Sequence, residues 1–147
     1  VFDRVVYSMI YDTSTSGELR ELREVLDEAT VQLAMKKITY PEIERLQKNI
    51  DKMKQAIAAM DTELVQQYDI EFHMLLIESC KNVFFVRIMK GIYGIFENSI
   101  GENVRTEKID SQAAVYHQRI LDCIREKNTE DVHDAVVDSL KTWRNRV

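Results

Sequence analysis

The stretch TYPEIERLQKNIDKMKQAIAAM, residues 39–60, decides the fold class. Ile43, Leu46, Ile50, Met53, Ile57 and Met60 recur at alternating steps of three and four, a spacing that lines them along one side of an α-helix. Thr39 and Glu42 form a capping box, in which hydroxyl and carboxylate satisfy otherwise unpaired amides, and Pro41 falls in the first turn, where its missing N–H costs little. A one-sided helix must bury its stripe against a partner. The segment therefore predicts an antiparallel packing seam rather than a cofactor site.

The same punctuation recurs on both sides. Upstream, Phe2, Val5, Val6, Met9 and Ile10 predict a helix over 2–11, which the polar run DTSTSG at 12–17 ends. Thr15 and Glu18 then repeat the capping box and open a helix with the stripe Leu19, Leu22, Leu26, Ala29 and Leu33. Downstream, Asp61 is positioned to cap a fourth helix that runs to about Cys80, where Lys81-Asn82 interrupts it. A fifth carries Phe84, Ile88, Ile92 and Ile95 and fades into a polar loop over roughly 98–110 that is long enough to cover a site. A sixth, over about 111–127, uses Ala113, His117, Ile120 or Leu121, and Ile124. Thr129 begins a seventh with Val132, Val136, Ser139 and Trp143 inward. The expectation is an all-α, antiparallel bundle of about seven helices, with residues 1–147 forming a single domain.

Bulk properties narrow the function. One proline, four glycines, 31% charged and 45% apolar residues suit a helical protein and not a disordered or turn-rich one. A net charge of -5 supplies no footprint for a phosphate backbone, so these residues alone should not hold DNA. Cys80 and Cys123 lie far apart in helical patterns and read as reduced core thiols, which with the lack of an apolar run of membrane length points to the cytoplasm. Neither GxSxG, HExxH, a Gly-rich phosphate loop nor a Cys–His pairing is present, and the reading is non-enzymatic.

Polar residues on inward faces carry the remaining information. Asp69 and His73 stand one turn apart, so both side chains can meet one point, and a carboxylate with an imidazole suits Zn, Ni, Mn or Fe. The competing explanation is a local Asp–His hydrogen bond. His117 occupies a position where the period of its helix wants an apolar residue. Burying an acid and two imidazoles without a cation or polar ligand costs several kcal/mol, on the order set by desolvation, so an internal polar cavity is expected. His133 lies about 120° from Ser139 around its helix and is read as surface.

With these residues on the page, a family resemblance emerges. ELRELREVLDEATVQLAMKKIT at 18–39, DIEFHMLLIESCKNVFF at 69–85, YHQRILDCI at 116–124 and the final helix resemble the effector-binding C-terminal domain of FadR-type regulators in the GntR family, over nearly the whole chain. The most specific part is Asp69-x-x-Phe72-His73-x-x-Leu76, then Asn82, then His117-x-x-Ile120. The helix at 2–11 is similar to that of the seven-helix branch.

The resemblance implies a homodimeric sensor of a small carboxylate effector. DNA would be contacted only through an N-terminal winged helix-turn-helix that this chain lacks, and no membrane is involved. It also implies a divalent transition metal, Zn, Ni or Mn, held by Asp69, His73 and His117. The family's fourth ligand, a histidine, falls at Ser139, which leaves positions open for water or an effector carboxylate. Arg23, matching the arginine of an "ExR" signature, is placed to grip that carboxylate bidentately, or else to form a surface salt bridge with Asp27. Asn82 matches the family's helix-breaking asparagine and is, with Arg23 and Ser139, a ligand-binding candidate, although a plain capping role also explains it. The alternative function is a metal-dependent helical-bundle enzyme on the same Asp/His/His set, with Tyr68, Glu71 or Tyr116 as acid or base. A scaffold in which the three polar residues pair among themselves is a third.

Overall fold

Local chemistry at the ends cuts the chain into helices. The computed structural model describes residues 16–103 and 111–141, with side chains over 17–96 and 111–141. The described helices are α1 (Ser16–Lys37), α2 (Tyr40–Ala58), α3 (Thr62–Glu78), α4 (Val83–Asn103), α5 (Ala113–Glu126) and α6 (Val132–Ser139). No strand occurs among the described residues. The helix expected over 2–11, the cap at Thr15 and the inward Trp143 lie outside them.

Capping follows the sequence closely. Glu42 Oε1 accepts from Thr39 N at 3.0 Å and Thr39 Oγ1 at 2.6 Å. Asp61 Oδ1 accepts from Leu64 N at 3.2 Å, satisfying an amide of the first turn of α3. Two helices end with a non-glycine residue in the left-handed region, Met60 at φ 56° after α2 and Lys127 at φ 52° after α5. In each case the next amide reaches back five residues, Asp61 N to Ala56 O and Asn128 N to Cys123 O, which closes a Schellman turn.

Lys81, also left-handed at φ 50°, follows α3 and ties three helices together. Its Nζ donates to Lys37 O at the end of α1 at 2.9 Å and lies 2.7 Å from Glu42 Oε1 at the start of α2. Although desolvation opposes it, the hydrogen bonds from Lys81 and Thr39 hold the Glu42 carboxyl below its ordinary value of 4.5.

The bundle encloses one main core. Leu46, Ile50 and Met53 of α2 meet Phe72 and Leu76 of α3, Leu121 and Ile124 of α5, Val132 and Val136 of α6, and Val31 and Ala34 of α1. A smaller cluster of Ile77, Met89, Tyr93 and Phe96, packed against Leu19 and Leu26, seats α4 on α3 and α1. Cys80 and Cys123 are free and buried, and burial pushes both thiols up to about 11, so they stay protonated at neutral pH. No helix among the described residues is long and apolar enough to cross a membrane.

Several faces differ from the periodic reading. Met60 is exposed rather than part of the α2 seam, because the helix has already turned into its left-handed cap. Leu22 is exposed while Arg23, Thr30, Val31 and Ala34 are buried, since α1 is shared between two clusters. On α4 Met89, Tyr93, Ile95 and Phe96 are buried and Ile92 packs partly buried beside them, whereas Phe84 and Ile88 of the expected stripe lie in solvent. The polar stretch expected to be a loop from about 98 is helical through Asn103, while 104–110 lie outside the described residues.

Met60→Gly removes the left-handed penalty without losing buried surface, and should stabilise the fold by about 0.5–1 kcal/mol in urea titrations. A loss of stability would mean that Met60 makes contacts in solution that offset its backbone strain. Lys81→Met should destabilise by about 1 kcal/mol at neutral pH. The folded state favours ionised Glu42, so its contribution is present above pH 4.5 and is lost as the pH falls through the lowered folded value. The gap between parent and variant should therefore close in acid, and a constant gap would place the effect in packing.

Candidate metal and effector site

Three side chains from two helices converge on one point. Asp69 and His73, one turn apart on α3, face His117 of α5, whose neighbours Ala114, Ile120 and Leu121 anchor that helix in the core. His73 Nε2 lies 3.4 Å and His117 Nε2 3.1 Å from the same oxygen, Asp69 Oδ1. Among the described residues this is the group of acids, histidines or cysteines arranged to hold an ion, with all three ligand atoms within 4.8 Å of one another.

The aromatic surroundings fix the imidazole planes. Phe72 stacks on His117 with centroids 4.0 Å apart and an interplanar angle of 6°. His73 meets His117 nearly edge-on at 5.2 Å and lies tilted by 32° to Tyr93 at 5.1 Å. Each ring is thus held by its face or edge, which leaves Nε2 as the atom it presents to Asp69.

The carboxylate sits at the rim rather than wholly inside. The Asp69 side chain keeps 42% of its accessible surface, against 13% for His73 and 5% for His117. Desolvation opposes its ionisation, but the hydrogen bonds from His117 and His73 outweigh that cost and hold the carboxyl well below the usual range. The acid expected to face inward therefore stands between the imidazoles and solvent.

The donor set fits a divalent transition ion. Metal–ligand bonds of about 2.0–2.2 Å in a tetrahedron place neighbouring ligand atoms about 3.3 Å apart, close to both Asp69–His separations. Two imidazole nitrogens and one carboxylate oxygen suit Zn, Ni or Mn, and no thiolate competes. Without an ion the same atoms form hydrogen bonds, with each Nε2–H donating to Asp69 Oδ1.

A small cavity adjoins His73. Its wall is Asp27, Thr30 and Val31 of α1, His73, Leu76 and Ile77 of α3, Ile120 of α5, and Val136 and Ser139 of α6. Ser139 is thus brought to the same cavity as His73, as its inward register implied, with its Oγ donating to Val136 O at 2.7 Å.

Arg23 and Asn82 have different settings. Arg23 Nε lies 3.4 Å from Asp27 Oδ2, yet the pair is interior, with side chains 5% and 12% accessible, so the surface salt bridge of the sequence reading is a buried one. The guanidinium carbon stands 5.7 Å from the Tyr93 ring centroid and 5.2 Å from that of Phe96. Arg23 is held by these groups, and Asp27 is the residue of the pair that meets the cavity. Asn82 is exposed outside the cavity wall and caps α4, its Oδ1 accepting from Phe85 N at 3.1 Å. Of the residues considered as an acid or base, Glu71 is exposed and accepts from the buried amide of Asn49 at 3.2 Å. His133 is exposed and pairs with Glu28 at 2.8 Å.

Sequence reasoning overlooked Thr30 and Tyr93, and weighed Asp27 only as a partner for Arg23. Thr30 sits beside Val31 on a face whose polar member was open to notice. Tyr93 falls off the stripe that hydrophobic spacing suggested for α4, so no local signal singled it out.

Residues 18–142 match the family model described as the FCD domain. Proteins named "Putative L-lactate dehydrogenase operon regulatory protein" in Escherichia coli strain K12 and in Shigella flexneri are each 21% identical over 136 residues, covering 90% of this chain and 51% of theirs. A solved structure of Streptococcus agalactiae GntR shares the fold with a TM-score of 0.74 and 27% identity, over 96% of this chain and 64% of that one. The chain thus spans about half the length of the curated relatives it matches. A family model matched over most of the sequence and a shared helical architecture together lead to one conclusion: the chain belongs to the FCD domain family, among the GntR-type regulators.

Proposed function

We propose that this chain is the effector-sensing domain of a GntR-type transcriptional regulator, binding a small carboxylate metabolite beside a divalent metal ion and so adjusting DNA binding elsewhere in the full protein. The observation that carries the reading is the meeting of two histidine Nε2 atoms on Asp69 Oδ1, next to a cavity walled by four helices. Family membership and the operon-regulator name of the E. coli relative support the regulatory part. In this reading Asp69, His73 and His117 hold the ion, and open coordination positions face the Ser139 side, where an effector carboxylate would bind. When bound, the ion supplies a Lewis-acidic point that a carboxylate can ligate. Arg23 acts through Asp27, orienting that carboxylate group at the cavity wall. Asn82 is retained as the cap that positions α4.

The cavity size explains how sensing would work. The cavity has a volume of about 10 Å³, roughly the space of one water, whereas metabolite sites take about 300 Å³ or more. An effector would therefore bind an opened packing of α1, α3, α5 and α6 better than this closed one. That difference in affinity is the free energy that moves the equilibrium.

Two copies of the chain would pair in the regulator, and α4 offers apolar surface for it. Phe84 and Ile88, four residues apart on one face, are 78% and 50% exposed. Ile88→Asp should shift the chain toward monomer in sedimentation velocity, without changing its helical circular dichroism. An unchanged sedimentation coefficient would remove this face from the dimer.

Metal content tests the core of the proposal. Protein dialysed against Zn²⁺ or Ni²⁺ should retain about one ion per chain. His73→Ala should weaken retention by a factor of about 100 or more, and Ser139→His should strengthen it by supplying a fourth ligand. Equal metal content in parent and His73→Ala would sink the assignment.

A further inference from the structure

The two helices that carry the proposed ligands, α3 and α5, pack more extensively on α2 than on one another, although α2 supplies no ligand. Two amide side chains of α2 reach them. Gln47 and Gln118 exchange a reciprocal pair of hydrogen bonds, Nε2 to Oε1 at 2.9 Å and 3.1 Å, and Gln118 directly follows His117 on α5. Towards α3, Asn49 Nδ2 donates to Tyr68 O at 3.0 Å and to Glu71 Oε2 at 3.2 Å. Tyr68 O belongs to the peptide group that joins Tyr68 to Asp69, and Glu71 directly precedes Phe72, whose ring stacks on His117.

For stability alone, Asn49 is a poor residue at this position. It is 3% exposed on the face of α2 that also buries Leu46, Ile50 and Met53. Both hydrogens of its amide are used, yet no donor among the described residues reaches its Oδ1, and a buried acceptor left without a partner opposes folding. Nor do its partners depend on it. Tyr68 O lies inside α3, where the N–H of Phe72 is its helical donor, and Glu71 is exposed to water. A hydrocarbon of similar shape would therefore serve the core better. What it would not supply is direction: apolar contact between helices tolerates a small slide, whereas a hydrogen bond of 3.0 Å fixes the height of the carbonyl it meets. A metal site needs its ligands held to within about 0.5 Å. We infer that Asn49 is a positioning residue of the Asp69, His73 and His117 site, fixing the turn of α3 that carries Asp69 at the height of His117, with the Gln47–Gln118 pair holding α5 to the same helix. This rests on the proposed reading that these three residues hold a divalent ion.

Zinc titration against a chromophoric chelator, on the parent and on Asn49→Leu, tests the inference. The metal-free Asn49→Leu chain should melt at or above the parent temperature, because leucine keeps the branching of the side chain and buries no polar atom, while its zinc affinity should fall by about tenfold or more. Loaded with Co²⁺, it should show visible d–d bands of altered wavelength or intensity, a signature that stability alone does not move. Asn49→Ala removes the same hydrogen bonds and adds no volume, so it decides the matter if leucine overpacks the seam between α2 and α3; it should show the same loss of zinc affinity and the same change in the bands. Parent-like zinc affinity in both variants, or cobalt bands that do not move in either, would overturn the inference and leave the metal reading standing. A parent chain that retains no zinc would remove that reading, and this inference with it.

Discussion

A desolvated imidazole is the constraint around which this bundle is arranged. His117 is almost wholly buried in α5, where the period of the helix would place a hydrocarbon. An unpaired polar group there costs about 1–3 kcal/mol. Asp69 meets its Nε2 and Phe72 covers its face, and both come from α3. α3 and α5 must therefore hold a fixed register, because a slip of one residue along α3 would move Asp69 and Phe72 off the ring together. The core contacts of Phe72 and Leu76 with Ile120 and Leu121 enforce the same register from the apolar side.

The second organising feature is the interior pair Arg23 and Asp27. A guanidinium with 5% of its side chain accessible is tolerable here because the carboxylate lies one turn away and the faces of Tyr93 and Phe96 lie within 6 Å. These rings belong to α4, so the pair links α1 to α4 and to the wall of the cavity. Tyr93 also meets His73. One tyrosine therefore touches both the proposed metal site and the arginine, and a shift of α4 would be felt at both. In the proposed sensor, this is the route by which opening of the cavity changes the surface that α4 presents.

The helices and their ends were legible because their causes are local. The capping residues Thr39, Glu42 and Asp61 act over three or four residues, and the seam of α2 repeats within one element. The sequence also singled out Asp69, His73 and His117, since two of them share one turn and the third interrupts an apolar period. Faces were less legible where one helix serves two clusters. On α4 the residues Phe84 and Ile88 are as hydrophobic as Met89, Tyr93 and Phe96, and spacing cannot say which of them meet a neighbour. Met60 shows a different limit, because a seam that continues in the letters ends where the backbone turns left-handed.

What the sequence by itself determined, among the described residues, is the set of helices, most of their boundaries to within a few residues, and the chemical types gathered at the site. Periodicity, caps and residue chemistry are properties of neighbouring positions, and neighbouring positions are what a sequence displays. Only the tertiary structure decided that Asp69 stands at the rim, that Arg23 and Asp27 form an interior pair over two rings, and that Asp27, Thr30, His73 and Ser139 wall one cavity. These residues lie on three helices and as much as 112 positions apart, from 27 to 139, so their meeting depends on the packing angles of whole helices.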